Sequence, residues 1–192
     1  MAESNQKRKD ILTSAGVLFK NKGFHNTKME EIALNAGVGK GTLYEYFISK
    51  QEIFDETCIE KVTVIRDSID EISNKNISFK EKLAEMLNLK GKNIEYEEAS
   101  VEEMLSCKNI ISEKVVNAMM SHVSDMYKII IKMVDQGKRE GVVKESIPSE
   151  FIAYLIVGTT SEYIRQSHFH KHDRLNEEDI IINLLFNGFG VK

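Results

Sequence analysis

The stretch from residue 27 to residue 54, TKMEEIALNAGVGKGTLYEYFISKQEIF, restricts the possible folds of this chain more than any other part of its sequence. Apolar residues recur there at i, i+3, i+4 and i+7, the spacing of one helix face, at Met29, Ile32, Ala33 and Ala36. Gly37 then stands where a helix C-terminus favours a residue with positive φ, and a second helix opens near Gly39. The pattern predicts two short helices joined by a tight turn, which is a helix-turn-helix.

Two N-terminal capping boxes mark the ends of this motif. Thr27 is followed three residues later by Glu30, which predicts the start of the first short helix. Ser49 and Glu52 have the same spacing and predict the start of a long helix directly after the motif. The chain is therefore expected to pass from the motif into the next helix without a flexible linker.

The second helix of the motif divides into a packing face and an outer surface. Leu43 and Phe47 are four residues apart and are predicted to pack on the first helix. Lys40, Thr42 and Tyr44 are then left on other faces. A short surface that is both polar and aromatic requires a functional explanation.

The remaining chain has the pattern of a series of amphipathic helices. A first helix is predicted over residues 7–22 with a stop at Gly23, and the long helix after the motif spans residues 50–72. Further helices are predicted from Ser78, from Ser100 and over residues 112–140, 148–168 and 177–190. The sequence thus predicts an all-α protein of about nine helices, with a three-helix domain over residues 1–50 and a larger helical domain over residues 51–192.

The last two predicted helices, 148–168 and 177–190, are apolar on more than one face. A helix that is apolar on all sides must be buried on all sides. In a chain of 192 residues, a second copy of the chain is the simplest cover for such helices. We therefore expect a homodimer whose interface is formed by these two helices.

The 26 basic and 30 acidic residues of the chain are unevenly distributed. Residues 1–50 hold eight basic and five acidic residues, a net charge of +3, and the remainder holds 18 and 25, a net charge of −7. A basic segment on an acidic body indicates nucleic-acid binding, although a difference of this size also arises on an ordinary solvated surface. The charge alone does not identify a partner.

Several protein classes find no support in the sequence. No apolar run is long enough to span a bilayer, and the polar N-terminus lacks the apolar core of a signal peptide, so we expect a cytoplasmic protein without a membrane partner. Cys58 and Cys107 fit neither a disulfide nor a metal-binding spacing and are predicted to be small apolar core residues. No glycine-rich phosphate loop, nucleophile elbow or HExxH motif occurs, so neither an enzyme nor a cofactor is predicted.

The segment GVGKGTLYEYFISKQEIF resembles the TetR family of bacterial transcriptional regulators, and the resemblance extends from residue 8 to about residue 62. The matching positions include Lys22, Gly23, Phe24, Thr27, Ile32, Ala33, Ala36, Gly37, Val38, Lys40, Gly41, Thr42, Leu43, Tyr44, Tyr46, Phe47, Lys50 and Phe54. Gly39 departs from the family, which often has a serine there, and Glu45 places an anion close to the expected DNA. The resemblance implies a three-helix DNA-binding domain followed by a larger domain for ligand binding and dimerisation.

The second helix of a helix-turn-helix enters the major groove with its N-terminal residues toward the bases. Lys40 can reach a guanine edge or a phosphate, and Thr42 a base or a phosphate, so these two are the candidate base readers. Gly41 has no side chain and allows the helix backbone to approach the DNA closely. Tyr44 is predicted to donate its hydroxyl to a phosphate, which fixes the register of the protein without reading sequence.

The resemblance also places Thr27, Tyr46 and Lys50 at phosphates. Tyr46 is equally suited to the core, and Lys50 to an ordinary surface position at a helix start. The complete predicted DNA-binding set is Thr27, Lys28, Lys40, Gly41, Thr42, Tyr44, Tyr46 and Lys50.

The mechanism implied by the family is repression at a pseudo-palindromic operator, relieved by a small-molecule effector. Methionines cluster in the helices expected to line the effector cavity, at Met86, Met104, Met119, Met120, Met126 and Met133. Methionine adapts to varied apolar ligands, and it also fills gaps in an ordinary core. A largely apolar effector is expected to contact Glu102, Met104, Met119, His122, Met126 and Tyr127.

Two other functions remain open from the sequence. His168 and His172 share a helix face at a spacing that can hold a transition metal, which would make the protein a helical metal sensor or a metal-dependent protein. Alternatively, the helix-turn-helix serves protein contacts alone. Salt-dependent binding to a promoter fragment separates a DNA-binding protein from this second alternative.

Overall fold

The computed structural model describes residues 2–91, 111–169 and 177–190. In these ranges the chain forms eight α-helices, one 3-10 turn and an isolated antiparallel bridge between Val143 and Gly190, with no β-strand. The prediction of an all-α fold is confirmed. Several sequence predictions fall outside the described residues, namely those for Ser100, Glu102, Met104, Cys107 and His172.

The helices have the order and approximate bounds that the sequence predicts. They are α1 (Ala2–Asn26), α2 (Met29–Asn35), α3 (Lys40–Tyr46), α4 (Lys50–Asn74), α5 (Phe79–Leu87), α6 (Glu113–Arg139), α7 (Ser149–Phe169) and α8 (Glu177–Phe189), and the 3-10 turn Asn88–Gly91 follows α5. The main difference is at α1, which begins earlier than the predicted residue 7 and carries a break at Gly23, where φ is 77°. The predicted stop at Gly23 is thus an interruption of the helix.

The chain divides into two compact units, Met1–Thr63 with Glu97–Met120, and Val64–Tyr96 with Ser121–Lys192. Two helices, α4 and α6, each contribute their first part to the first unit and their last part to the second. The division within α4 shows which residues pack together and says nothing about function. A functional boundary between residues 50 and 51 therefore stays a prediction.

The first unit contains the three-helix core that the sequence predicts. Its fully buried apolar residues come from α1, α2, α3 and the start of α4, namely Ile11, Leu12, Ala15, Ile32, Ala33, Leu43, Phe47 and Ile53. The predicted packing of Leu43 and Phe47 is confirmed, since both side chains are buried in this cluster. Gly37, in the turn between α2 and α3, has a φ of 68°, as the predicted turn requires.

The predicted capping box at Thr27 is wrong. The N-cap of α2 is Lys28, whose backbone N–H donates to Glu31 Oε2 at 3.2 Å. The Thr27 hydroxyl instead donates to the carbonyl of Gly23 at 2.9 Å and lies 3.3 Å from that of Leu18. A hydrogen bond to the end of the preceding helix therefore takes the hydroxyl that the sequence pattern assigns to α2.

The other capping box is present in part. Ser49 Oγ accepts from the Glu52 backbone N–H at 3.1 Å, as predicted. The Glu52 carboxylate reaches one residue further than expected and accepts from the backbone N–H of Ile48 at 2.7 Å. The start of α4 is therefore fixed by the residues that the sequence indicates, with one changed partner.

A second apolar cluster of the first unit lies along α4. It consists of Phe54, Cys58, Val62, Val115 and Met119, with three phenylalanine rings (Phe19, Phe24 and Phe54) meeting at centroid distances of 5.1 to 5.8 Å. Cys58 is buried here, which confirms its predicted role as a small apolar core residue. The cluster joins the beginning of α6 to α4 within this unit.

The second unit has its own apolar core, formed by the later parts of α4 and α6 with α5, α7 and the segment around Val143. Its buried members are Ile69, Ile72, Phe79, Leu83, Met86, Ile130, Met133, Val134, Val143, Ile152, Ala153 and Ile156. By contrast, other apolar residues of α7 and α8 are more than half exposed, namely Phe151, Tyr154, Leu155, Ile180 and Leu184. No helix within the described ranges has the length and hydropathy needed to cross a bilayer.

Candidate nucleic-acid interface

The outer surface of α3 faces solvent because its inner face is packed in the core. Because Leu43 and Phe47 anchor the helix in the core, the side chains of Lys40 and Tyr44 are exposed and that of Thr42 is half-buried. Tyr44 leaves 44% of its surface exposed, which is high for an aromatic residue. A Cβ added at Gly41 would meet no atom within 4 Å, so the backbone at this position is open to an approaching molecule.

The start of α3 is formed by a glycine, at the position where the resemblance noted in the sequence led us to expect a serine. Gly39 is the N-cap, with extended φ and ψ of −68° and 152°, and it supplies no side-chain hydrogen bond. Its carbonyl accepts from the Leu43 N–H at 3.0 Å, so the first helical turn closes normally. Glycine is tolerated at an N-cap, so the helix starts normally and one hydroxyl fewer lies at this surface.

An ion pair ties the first residue of α3 to α2. Lys40 Nζ lies 2.7 Å from Glu30 Oε1, and both side chains are well exposed. The hydrogen bond from Lys40 holds the pKa of Glu30 below its usual value, and the same contact raises the pKa of Lys40. The first turns of α2 and α3 therefore lie side by side, and Lys40 shares its charge with a carboxylate before any DNA is bound.

A second acidic residue of α2 acts in the same way. Glu31 accepts from Lys22 Nζ at 2.8 Å, and this hydrogen bond lowers the pKa of Glu31. Part of the positive charge of residues 1–50 is thus neutralised locally. Sequence reasoning missed both pairs because their partners are nine and ten residues apart, a separation that only the turn geometry brings together.

Two of the predicted phosphate-binding side chains are engaged inside the protein. Thr27 is 1% exposed and its hydroxyl is hydrogen-bonded within the protein, so a phosphate contact of this residue stays a prediction. Lys50 Nζ donates to the carbonyls of Phe24, His25 and Thr27 at 2.6, 3.2 and 2.8 Å. Lys50 thereby stabilises the connection between α1 and α2. Because an ammonium has three N–H groups and all three are used here, a phosphate contact would require breaking one of these bonds.

Tyr46 and Lys28 complete the predicted set. Tyr46 is half-buried against the three-helix core, and its hydroxyl donates to Ser4 Oγ at 3.2 Å, so its ring is partly a core element. Lys28 is exposed at the N-cap of α2. The structure brings Lys28, Lys40, Gly41, Thr42 and Tyr44 onto the outer surface of α2 and α3, where their contacts with DNA stay predictions.

The predicted effector contacts are divided between the two units. Met119 is buried in the cluster along α4 in the first unit. Met126 and Tyr127 pack against the core of the second unit, where the Tyr127 ring meets that of Tyr154 at 5.4 Å, and His122 is half-buried. An effector site composed of these residues stays a prediction.

Three buried polar atoms of the second unit were not anticipated from the sequence. Arg66 Nε, Ser73 Oγ and Thr160 Oγ1 have no hydrogen-bond partner among the residues that the structure describes. Buried polar atoms are almost always paired, so unpaired ones are natural positions for a ligand or a water. Thr160 belongs to the run of small residues 158–161 inside an otherwise apolar helix, which is the signal that could have identified it.

The described residues contain no group of three or more histidine, cysteine, aspartate or glutamate side chains that could hold a metal ion. His172 lies outside the described residues, and the side chain of His168 is not described. The alternative of a metal site at these histidines therefore stays open.

A helix-turn-helix whose second helix is exposed is the architecture of a DNA-binding regulator. Residues 11–57 match the family model described as "Bacterial regulatory proteins, tetR family". The fatty acid metabolism regulator protein of Bacillus subtilis (strain 168) is 24% identical over 196 residues, which cover 98% of each chain. Residues 11–57 thus carry the DNA-binding region of the TetR family of bacterial transcriptional regulators.

Solved structures of similar fold extend over nearly the whole chain. FadR from Bacillus subtilis in complex with stearoyl-CoA has a TM-score of 0.67 at 21% identity and covers 94% of this chain and 98% of its own. The reduced form of NemR from E. coli has a TM-score of 0.75 at 15% identity, with coverages of 97% and 98%. The family fold thus includes the second unit, where the sequence resemblance is weak.

Proposed function

We propose that the protein is a homodimeric transcriptional repressor that leaves a pseudo-palindromic operator when a small molecule binds its second unit. The observation that carries this function is the exposed outer surface of α3, held in place by the buried Leu43 and Phe47. The protein acts on chromosomal DNA in the cytoplasm and catalyses no reaction. Lys40 and Thr42 read bases, while Tyr44 and Lys28 contact phosphates.

The dimer interface is formed by α7 and α8. Their exposed apolar residues, Phe151, Tyr154, Leu155, Ile180 and Leu184, come from two helices of one compact unit. Large exposed apolar groups of this kind mark interaction sites on soluble proteins. In a two-fold symmetric dimer, this surface packs against the same surface of the second copy. The symmetry of that dimer matches the symmetry of a palindromic site.

The effector is an amphipathic molecule with a long apolar chain. The similar regulator FadR of Bacillus subtilis was solved with stearoyl-CoA, which has such a chain and a charged polar part. In this protein Met126 and Tyr127 offer apolar surface, and Arg66 and Thr160 offer buried polar atoms for the other end. The effector releases the protein from DNA only if it binds the conformation of low operator affinity more tightly than the DNA-bound conformation.

Selection of bound sequences from a random DNA pool tests the DNA-binding function directly. A repressor of this class is expected to enrich an inverted repeat, and its affinity for that sequence should fall steeply as salt increases. Addition of stearoyl-CoA should release the DNA, whereas coenzyme A without an acyl chain should not. Failure to enrich any sequence, or affinity independent of salt, would refute the proposal, and release by coenzyme A alone would refute the acyl effector.

A further inference from the structure

Glu56 of α4 bridges two cations that belong to two other helices. Its Oε2 accepts from Arg8 Nη2 of α1 at 3.0 Å, and its Oε1 accepts from Lys114 Nζ of α6 at 2.8 Å. The Glu56 side chain is only 25% exposed, so its charge is shielded from solvent more than the charges of Glu30 and Glu31 in the ion pairs of α2. All three residues belong to the first compact unit.

Arg8 extends this cluster to α3, the second helix of the helix-turn-helix and the proposed recognition helix. Its guanidinium carbon lies 5.4 Å from the centroid of the Phe47 ring, a cation–π distance. Phe47 is the C-cap of α3 and is almost completely buried. Lys114, Glu56, Arg8 and Phe47 therefore form an unbroken series of contacts from the first turn of α6 to the end of α3.

The electrostatics make Glu56 the central member of the series. Hydrogen bonds from Lys114 and then Arg8 lower its pKa, in opposition to burial, and Lys114 has its own pKa raised by the same contact. Glu56 is thus ionised at neutral pH and holds two cations together. Without its charge, Arg8 and Lys114 would lose the carboxylate that both contact on α4 and would repel each other.

The helix that carries Lys114 continues into the second unit. α6 runs from Glu113 to Arg139 as one helix, and Ile130, Met133 and Val134 in its later turns belong to the core of that unit. A continuous helix transmits a shift along its length because its backbone hydrogen bonds resist deformation. A displacement of α6 as one body would therefore move Lys114.

We propose that Glu56 is the residue that couples α6 to the recognition helix, by passing a shift of Lys114 through Arg8 to Phe47. This inference rests on the proposed function and assigns a regulatory role to a cluster outside the DNA-contacting surface. Coupling between sites is reciprocal, so the same contacts must carry the effect of DNA binding at α3 back to the start of α6. An arrangement that only stabilised the fold would show no such response.

Hydrogen exchange measured by mass spectrometry tests this reciprocity without an effector. The probe is the operator DNA recovered by selection, and the readout is the exchange of amides 115–120. In the wild type, operator binding is expected to slow this exchange by about fivefold, a typical coupling strength. In Lys114→Gln and Glu56→Gln the slowing should fall to less than about 1.5-fold.

The controls separate coupling from stability. Lys114 is 62% exposed, so Lys114→Gln should fold and bind operator within about twofold of the wild type. Lys128→Gln removes an exposed ion pair with Asp125 on the same helix and should keep the full response. The double variant Glu56→Gln/Lys114→Gln should lose no more of the operator-induced slowing of exchange than Glu56→Gln alone, because both residues act in one series.

The possible outcomes distinguish this inference from the function on which it rests. A wild type that binds no operator refutes the function and the coupling together. Normal DNA binding with an α6 response that survives in Glu56→Gln and Lys114→Gln refutes the coupling alone. Loss of the response in these variants, with its retention in Lys128→Gln, is the result that we expect.

Discussion

At the scale of single residues, the ion pair between Lys40 and Glu30 sets how much positive charge the recognition helix offers to DNA. Glu30→Gln removes the carboxylate that competes with phosphate for Lys40. We expect operator affinity to increase by about two- to fivefold and the slope of log affinity against log salt to steepen by up to about one. Fluorescence anisotropy titrations at several salt concentrations measure both quantities.

Lys40→Gln provides the matched control for this prediction. It should weaken binding, and the double variant Glu30→Gln/Lys40→Gln should behave like Lys40→Gln, since Glu30 acts through Lys40. The lowered pKa of Glu30 keeps its carboxylate charged at neutral pH, so the pair is intact under these conditions and is lost only as the pH falls through that pKa. Weaker binding by Glu30→Gln would mean that Glu30 helps to position Lys40 on the DNA.

Gly37 is the residue on which the turn depends. Its φ of 68° lies in the left-handed region, where a Cβ costs roughly 1–2 kcal/mol. Gly37→Ala should lower the free energy of unfolding by about that amount, measured by urea denaturation. Gly37→Asn should cost less, because asparagine enters this region more readily. Equal stability of the alanine variant and the wild type would show that the turn is not held in this conformation.

At the scale of helices, the packing of α5 against α6 depends on a residue with no side chain. A Cβ at Gly137 would lie 2.6 Å from Phe79 Cδ1 and 2.7 Å from Val143 Cγ2, both buried apolar side chains. Gly137→Ala should therefore destabilise the protein by about 1–3 kcal/mol through overpacking, even though alanine favours helices.

Thermal and urea unfolding of Gly137→Ala should be compared with Ser124→Ala, an exposed position of the same helix. The control is expected to be neutral or slightly stabilising because alanine is the best helix former. A stabilised Gly137→Ala would indicate that Phe79 can move aside, and the close contact would then be adjustable.

The sequence identified the helices well because their signals are local. Apolar spacing, Gly37 and the helix start predicted at Ser78, where the structure has a capping box with Glu81, each act over a few residues. The site was predicted less completely because its decisive contacts are tertiary. Lys50 is held by carbonyls 26, 25 and 23 residues earlier in the chain, which no local pattern indicates. Thr27 has the right residue type for a cap, yet its hydroxyl donates backward to Gly23, where the helix is broken.

Distance along the chain explains what else was missed. The Lys40–Glu30 pair and the contacts of Glu56 with Arg8 and Lys114 join residues from 10 to 58 positions apart. No periodicity encodes such pairs, since they exist only after the helices have packed. The overall fold could therefore be predicted from the pattern, whereas the charges available to DNA had to be found in the structure.

At the scale of the whole molecule, a net charge of −4 and a small basic surface make a single recognition helix a weak DNA binder. Two linked copies bind far more tightly, because the second half-site is engaged at a high effective concentration. Operator affinity should therefore depend on the integrity of the proposed α7–α8 interface, even though that surface touches no DNA.

Leu184→Glu tests this dependence by placing a charge on an apolar residue of α8 that is 66% exposed. Sedimentation analysis should show a monomer where the wild type is a dimer, and operator affinity should fall by about 10²-fold, the loss expected when avidity is removed. Met120→Glu is the matched control, because Met120 is 68% exposed but lies on α6. A dimer that survives Leu184→Glu and dissociates with Met120→Glu would move the interface to α6 and would remove the symmetry argument for α7 and α8.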